Sequence, residues 1–145
     1  MNLPKYPLFA SDDPFVYVFF SEGNRGRFRK GVFYTQIGNN IFNLGFGDWN
    51  EELQDLDDSS RTNNGDRDKV LATVASTALA FTNQFPNARI FVEGSTPART
   101  RLYQMGISDN LLEINEYFEV TGLFHDVWEP FHRGRNYSAF LITRK

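Results

Sequence analysis

Six consecutive apolar residues, Phe15-Val16-Tyr17-Val18-Phe19-Phe20, leave neither alternating face of the segment suited to water. A strand of this kind is expected to be covered on both sides. Ser21 to Gly26 is turn chemistry, and Phe28 to Ile37 reads as the returning strand of a hairpin. Gly38-Asn39-Asn40 turns the chain again. In the strand that follows, Phe42, Leu44 and Phe46 share one face, while Asn43, Gly45 and Gly47 share the other. These three runs predict an antiparallel meander. The bare face at Gly45 and Gly47 admits a ligand or a closely packed helix, and the helix is the expectation.

The period then changes from two to 3.6. Val70, Leu71, Val74, Ala78 and Phe81 make a helical stripe, with Asp66 and Asp68 in the first turn, where the helix dipole favours negative charge. Pro86-Asn87 ends it, and Ala88 to Val92 is a short strand. Thr96 and Pro97 open a second helix as N-cap and first helical residue, and Gly106 is its expected end. A further short helix is expected over 108–115, and strands over 118–124 and 137–143. The order is β-β-β-α-β-α-β-β, an α+β domain with a mixed sheet. The first crossover helix should make the strands on either side of it parallel.

Two segments stand outside this pattern. Residues 1–14 carry Pro4, Pro7 and Pro14 and are expected to wrap the surface as irregular chain. Residues 48–65 are polar, acidic and aperiodic, as in a lid, a binding loop or a disordered stretch. All 145 residues fit one domain.

Composition narrows the function classes. There is no cysteine, which excludes disulfides, thiolate nucleophiles and cysteine metal sites and points to a reducing cytoplasm. No apolar run reaches the length of a membrane span, and the first residues lack the pattern of a signal peptide. The net charge of -3 disfavours a protein that coats nucleic acid through positive charge alone. The charges are segregated, however, so local basic surfaces stay open.

Arg61-Thr62-Asn63-Asn64-Gly65-Asp66 and Leu102-Tyr103-Gln104-Met105-Gly106-Ile107, taken with the element order, resemble the core of the GCN5-related N-acetyltransferases. The first stretch lies where that fold keeps a glycine loop whose backbone N–H groups hold the coenzyme A pyrophosphate. It has one extra residue between Arg61 and Gly65, and Arg67 replaces a small residue. The second resembles a Leu-Tyr signature in which Tyr103 would be general acid to the leaving thiolate. It is one residue short before Gly106. The resemblance implies coenzyme A as cofactor only if the chain is an acyltransferase. The run from Gly65 to Tyr103 also resembles a family of small bacterial proteins without an assigned function.

The most suggestive segment is Gly94-Ser95-Thr96-Pro97-Ala98-Arg99-Thr100-Arg101. Here a strand end leads through a glycine and two hydroxyls into a helix N-terminus flanked by arginines. Converging N–H, hydroxyl and guanidinium groups suit a phosphate or carboxylate. The plain alternative is an ordinary cap with Arg99 or Arg101 paired to acids such as Glu93 or to the acidic loop. The candidate ligand set is Gly94, Ser95, Thr96, Arg99 and Arg101, together with Arg61 and Gly65. A second set, Arg25, Arg27, Arg29 and Lys30, could follow a nucleic-acid backbone while Phe28 or Tyr34 stacks a base. A charged hairpin edge is the plainer reading. His125, His132, Asp126 and Glu129 could serve acid–base chemistry but have no recognisable nucleophile beside them. The acidic residues have no metal-site spacing. The functions left open are a module that binds a small anion or a protein partner, an acyl-coenzyme A transferase, and a nucleic-acid-binding protein.

Overall fold

The computed structural model describes residues 4–50, 55–57 and 65–145. The chain order is β1 (Phe9–Ala10), β2 (Val16–Gly23), β3 (Gly26–Gly38), β4 (Ile41–Asn50), β5 (Asp55–Asp57), α1 (Arg67–Gln84), β6 (Arg89–Val92), α2 (Pro97–Asp109), α3 (Leu111–Tyr117), β7 (Phe118–Phe124), β8 (Val127–Pro130) and β9 (Phe140–Arg144). The strands form one mixed sheet in the order β1-β2-β3-β4-β6-β9-β7-β8, with β5 also paired to β4. The eight-element order expected from the sequence is embedded in this arrangement. Three short strands, β1, β5 and β8, make up the difference, together with α3, which is the further short helix expected over 108–115.

The meander forms through Tyr17↔Val32↔Phe46 and Phe19↔Lys30↔Asp48. Its turns use left-handed backbone at Gly26 (φ 114°) and Asn40 (φ 56°). The last hairpin, β7–β8, turns on His125 (φ 48°) and Asp126 (φ 65°), the conformation a two-residue type I′ turn requires. β4 and β6 are parallel, as the crossover predicts, through Ile41↔Arg89, Phe42↔Ile90 and Asn43↔Phe91.

Alternation sends Tyr17, Phe19, Val32, Tyr34, Phe42, Leu44, Phe46, Ile90 and Ile142 to one face, where all are buried. α1 lies on that face. Its Phe81 ring stacks on Tyr34 at 4.1 Å, and Tyr34 and Thr77 share a hydrogen bond of 2.7 Å. α2 and α3 cover the same face, enclosing Leu44, Val92, Phe118 and Ile142 with Tyr103, Ile107 and Ile114. Gly45 and Gly47 pair with Phe33 and Gly31 on the reverse face. The helix expected against these two glycines therefore packs on the opposite side of the sheet. The reason is that all crossovers run in one direction across it.

Of the stretch read as an aperiodic acidic loop, residues 51–54 and 58–64 lie outside the described residues, and residues 48–50 and 55–57 are strand. β4 continues to Asn50, and Asp55–Asp57 pairs back on it through Asp48↔Asp57. Because Asp48 also pairs with Lys30, β5 occupies the edge of β4 that faces away from β3. β6 takes the start of that same edge, leaving a gap between them from Leu44 to Gly47. The N-terminal segment is anchored as well as irregular: β1 pairs with β2, and Tyr6 is buried, its N–H donating to Thr73 Oγ1 at 2.8 Å.

Candidate functional site at the head of the second helix

β6 ends at Val92, and the chain turns through Gly94 into α2. The Thr96 hydroxyl accepts from the Arg99 N–H at 3.2 Å and Pro97 opens the helix, so the expected cap is present. The Thr100 hydroxyl reaches back in turn. Its Oγ1 accepts from the Gly94 N–H at 3.0 Å and donates to the Thr96 carbonyl at 3.2 Å. This lattice locks the connection. Thr96→Ala should lower stability by about 1 kcal/mol, checked as a shift in the urea unfolding midpoint at unchanged slope.

The two arginines part company. Arg99 is half-buried, and its Nη2 donates to the Phe46 carbonyl at 3.2 Å. Phe46 lies in the gap along β4, so the guanidinium satisfies a strand acceptor that neither β6 nor β5 reaches. Arg101 is exposed and, among the described residues, forms no ion pair. The pairing with Glu93 weighed from the sequence does not form for either arginine. Arg101 instead borders a cleft of about 500 Å³, shared with Gly94, Ser95, Thr96, Gln104 and Ser138. No acidic residue occupies the first turn of α2 to offset the helix dipole.

Gln104 and the 135–138 loop complete this cleft and were not foreseen. Gln104 Oε1 accepts from the Tyr137 N–H at 3.0 Å, and its Nε2 donates to the Arg135 carbonyl. Their separation of about thirty residues leaves no local pattern for periodicity to reveal. Glu129 holds the same loop. Its carboxylate lies 2.8 Å from Arg135 Nη1, 3.4 Å from the Tyr137 hydroxyl and 3.9 Å from His132 Nε2. His132 and Glu129 thus meet, whereas His125 lies against the Phe124 ring at the β7–β8 turn.

The other sequence candidates are dispersed. Arg61 lies outside the described residues. Gly65 adopts φ 77° immediately before α1 and lines a cleft shared with Asp109 and Asn110 at the tail of α2, not the cleft that Thr96 lines. Asp66 does not cap α1, because its carboxylate accepts from the Tyr6 hydroxyl at 2.6 Å and the Ser21 hydroxyl at 2.5 Å. Burial, and then the Asp66 hydrogen bond, raise the Tyr6 hydroxyl above its ordinary pKa. Tyr103 is buried and lines an apolar cavity between α1 and α2.

The basic hairpin is divided by strand alternation. Lys30 turns to the helix side and pairs with Asp48, both largely buried. Arg27 stays outside, 3.3 Å from Glu22 and 4.1 Å above the Phe20 ring. Arg25 and Arg29 are exposed. Tyr34, weighed as a base-stacking residue, is only 3% exposed and belongs to the core. Among the described residues no group of His, Asp and Glu could hold a metal ion. Among the described residues no helix is long and apolar enough to cross a membrane.

These features define an α+β protein with a mixed sheet, its described helices on one face and a polar cleft where β6 hands over to α2. The chain belongs to the family of unknown function DUF6934, whose model matches residues 2–145. No curated protein and no solved structure matches it.

Proposed function

We propose that the chain is a small binding module whose cleft at the head of α2 takes a phosphate-bearing anion. The observation that carries this reading is the exposed Arg101 beside Ser95, Thr96 and a helix N-terminus without acidic compensation, all bordering one cleft. The helix dipole and the guanidinium both favour an anion there. Arg99 belongs to the scaffold in this assignment, because its guanidinium serves the Phe46 carbonyl.

Thermal unfolding with inorganic phosphate, nucleotides and coenzyme A tests it. A ligand bound by the native state raises the midpoint in proportion to its saturation. Arg101→Ala should lose most of the phosphate-induced shift, whereas Arg99→Ala should lower the midpoint but keep that shift. Indifference of the wild type to every anion, well above physiological concentration, overturns the reading.

A second reading, an acyl-coenzyme A-dependent transferase, is supported by the order β2-β3-β4-β6-β9-β7 and the parallel β4–β6 pair, which resemble the acetyltransferase core. It requires that coenzyme A stabilise the protein where phosphate does not. Tyr103→Phe should then lower turnover without weakening coenzyme binding.

A further inference from the structure

Among the described residues no helix lies on the reverse face of the sheet, and from β6 to β8 that face is apolar. Strand alternation points Phe91, Leu141, Leu123 and Trp128 toward it, because Ile90, Val92, Ile142 and Val120 are buried on the helix side. Phe91, Leu141 and Leu123 are half-buried, and Trp128 is 43% exposed. The Phe91 and Trp128 rings meet edge to face with centres 6.3 Å apart, so these side chains form one continuous patch. A sheet face of this kind is stabilised by a second layer that takes it out of water.

Two charges border the patch in a symmetric arrangement. Arg89 and Glu119 point to the same face and are both exposed. Both are in register with Thr143 of β9, Arg89 one strand to one side and Glu119 one strand to the other. Two strand spacings, about 10 Å, separate their backbones. Among the described residues neither forms an ion pair.

We propose that this face is the seam of a symmetric dimer, in which a second copy of the chain packs sheet to sheet about a two-fold axis along β9. That strand is the middle one of the run β4-β6-β9-β7-β8. Rotation about it exchanges β6 with β7 and keeps every residue at its own level along the strands. Arg89 of each copy therefore faces Glu119 of the other, and Leu141 faces its own counterpart. Packed sheets stand about 10 Å apart, a gap that an arginine and a glutamate extended from opposite sides bridge. The same rotation brings together two surfaces of one twist, which nest without the strands crossing steeply. Opposite charges at equal distances from β9 make the face complementary to itself, which is the requirement of an isologous interface and selects a second copy over a foreign partner. The seam lies across the sheet from the helices and does not depend on the phosphate reading.

Sedimentation equilibrium of the full chain, from micromolar concentrations upward, tests the seam. The wild type should reach the mass of a dimer. Trp128→Ala should raise the dissociation constant roughly tenfold or more. Arg89→Glu and Glu119→Arg should each be monomeric where the wild type is dimeric, because each places like charges opposite one another. An equimolar mixture of these two variants should recover the dimer, since both contacts of the mixed pair then join opposite charges. Circular dichroism of each variant shows that its fold is kept, as expected for substitutions of exposed side chains. A wild type that stays monomeric up to about 0.5 mM overturns the proposal. So does a dimer that neither charge reversal weakens, or a mixture of the two folded variants that stays monomeric.

Discussion

Replacing Gly94 by alanine is expected to cost about 3 kcal/mol of stability, at the upper end of the range for overpacking. The added Cβ would stand 2.3 Å from the Thr100 nitrogen, 2.6 Å from the Arg99 carbonyl carbon and 2.7 Å from the Arg99 Cβ. Two of these three atoms belong to the backbone of α2's first turn, so no rotamer change relieves the contact. Relief means moving the helix head away from the end of β6. That movement breaks the bond from the Gly94 N–H to Thr100 Oγ1 and strains the reach of Arg99 to the Phe46 carbonyl. Urea denaturation at equilibrium measures the loss, and a change below about 0.5 kcal/mol contradicts this account. Any phosphate binding should weaken with it, since the displaced turn carries Ser95 and Thr96.

Gly94 also shows where sequence reasoning reaches and where it stops. A glycine between a strand end and a helix start suggests, from sequence alone, a need for an unusual backbone angle. Its backbone is not left-handed, and the requirement is the absence of a Cβ against the returning helix. Local chemistry was legible: the stripe from Val70 to Phe81, the Thr96-Pro97 start and the alternation at Phe42, Leu44 and Phe46 all appear as read. Each is dictated by residues within one or two turns of one another.

What escaped depends on distant partners. β1, β5 and β8 span two to four residues, too short for a period to declare itself, and they exist because an edge of β2, β4 or β7 offers unpaired groups. The Arg99–Phe46 bond spans 53 residues, and the Tyr6–Asp66 bond spans 60. The same limit separates Arg99 from Arg101. Two residues apart on one helix, they look equivalent in sequence, yet only Arg99 turns toward β4.

Phe81→Ala is expected to have the largest effect of any substitution considered, a loss of about 4 kcal/mol. Phe81 is fully buried at the centre of an aromatic group, with its ring centre 4.1 Å from Tyr34, 5.0 Å from Phe85 and 5.1 Å from Phe42. Truncation removes the burial of a large apolar side chain and several ring contacts, each worth about 0.5–1.5 kcal/mol beyond area. The void cannot close readily, because the Tyr34 hydroxyl is tied to Thr77 and Phe42 is fixed in the sheet by its pairing with Ile90. Phe81→Leu keeps most of the volume and should recover more than half of the loss. A domain stable by about 5–15 kcal/mol would survive the alanine variant, though with its thermal midpoint sharply lowered. Phe81 belongs to the last turn of α1, while the phosphate cleft is built on the head of α2 and the 135–138 loop. Any phosphate-induced shift should therefore persist in the folded variant. Its disappearance at temperatures where the variant is still folded would show that the cleft depends on the packing of α1, and that the core and the proposed site are one cooperative unit.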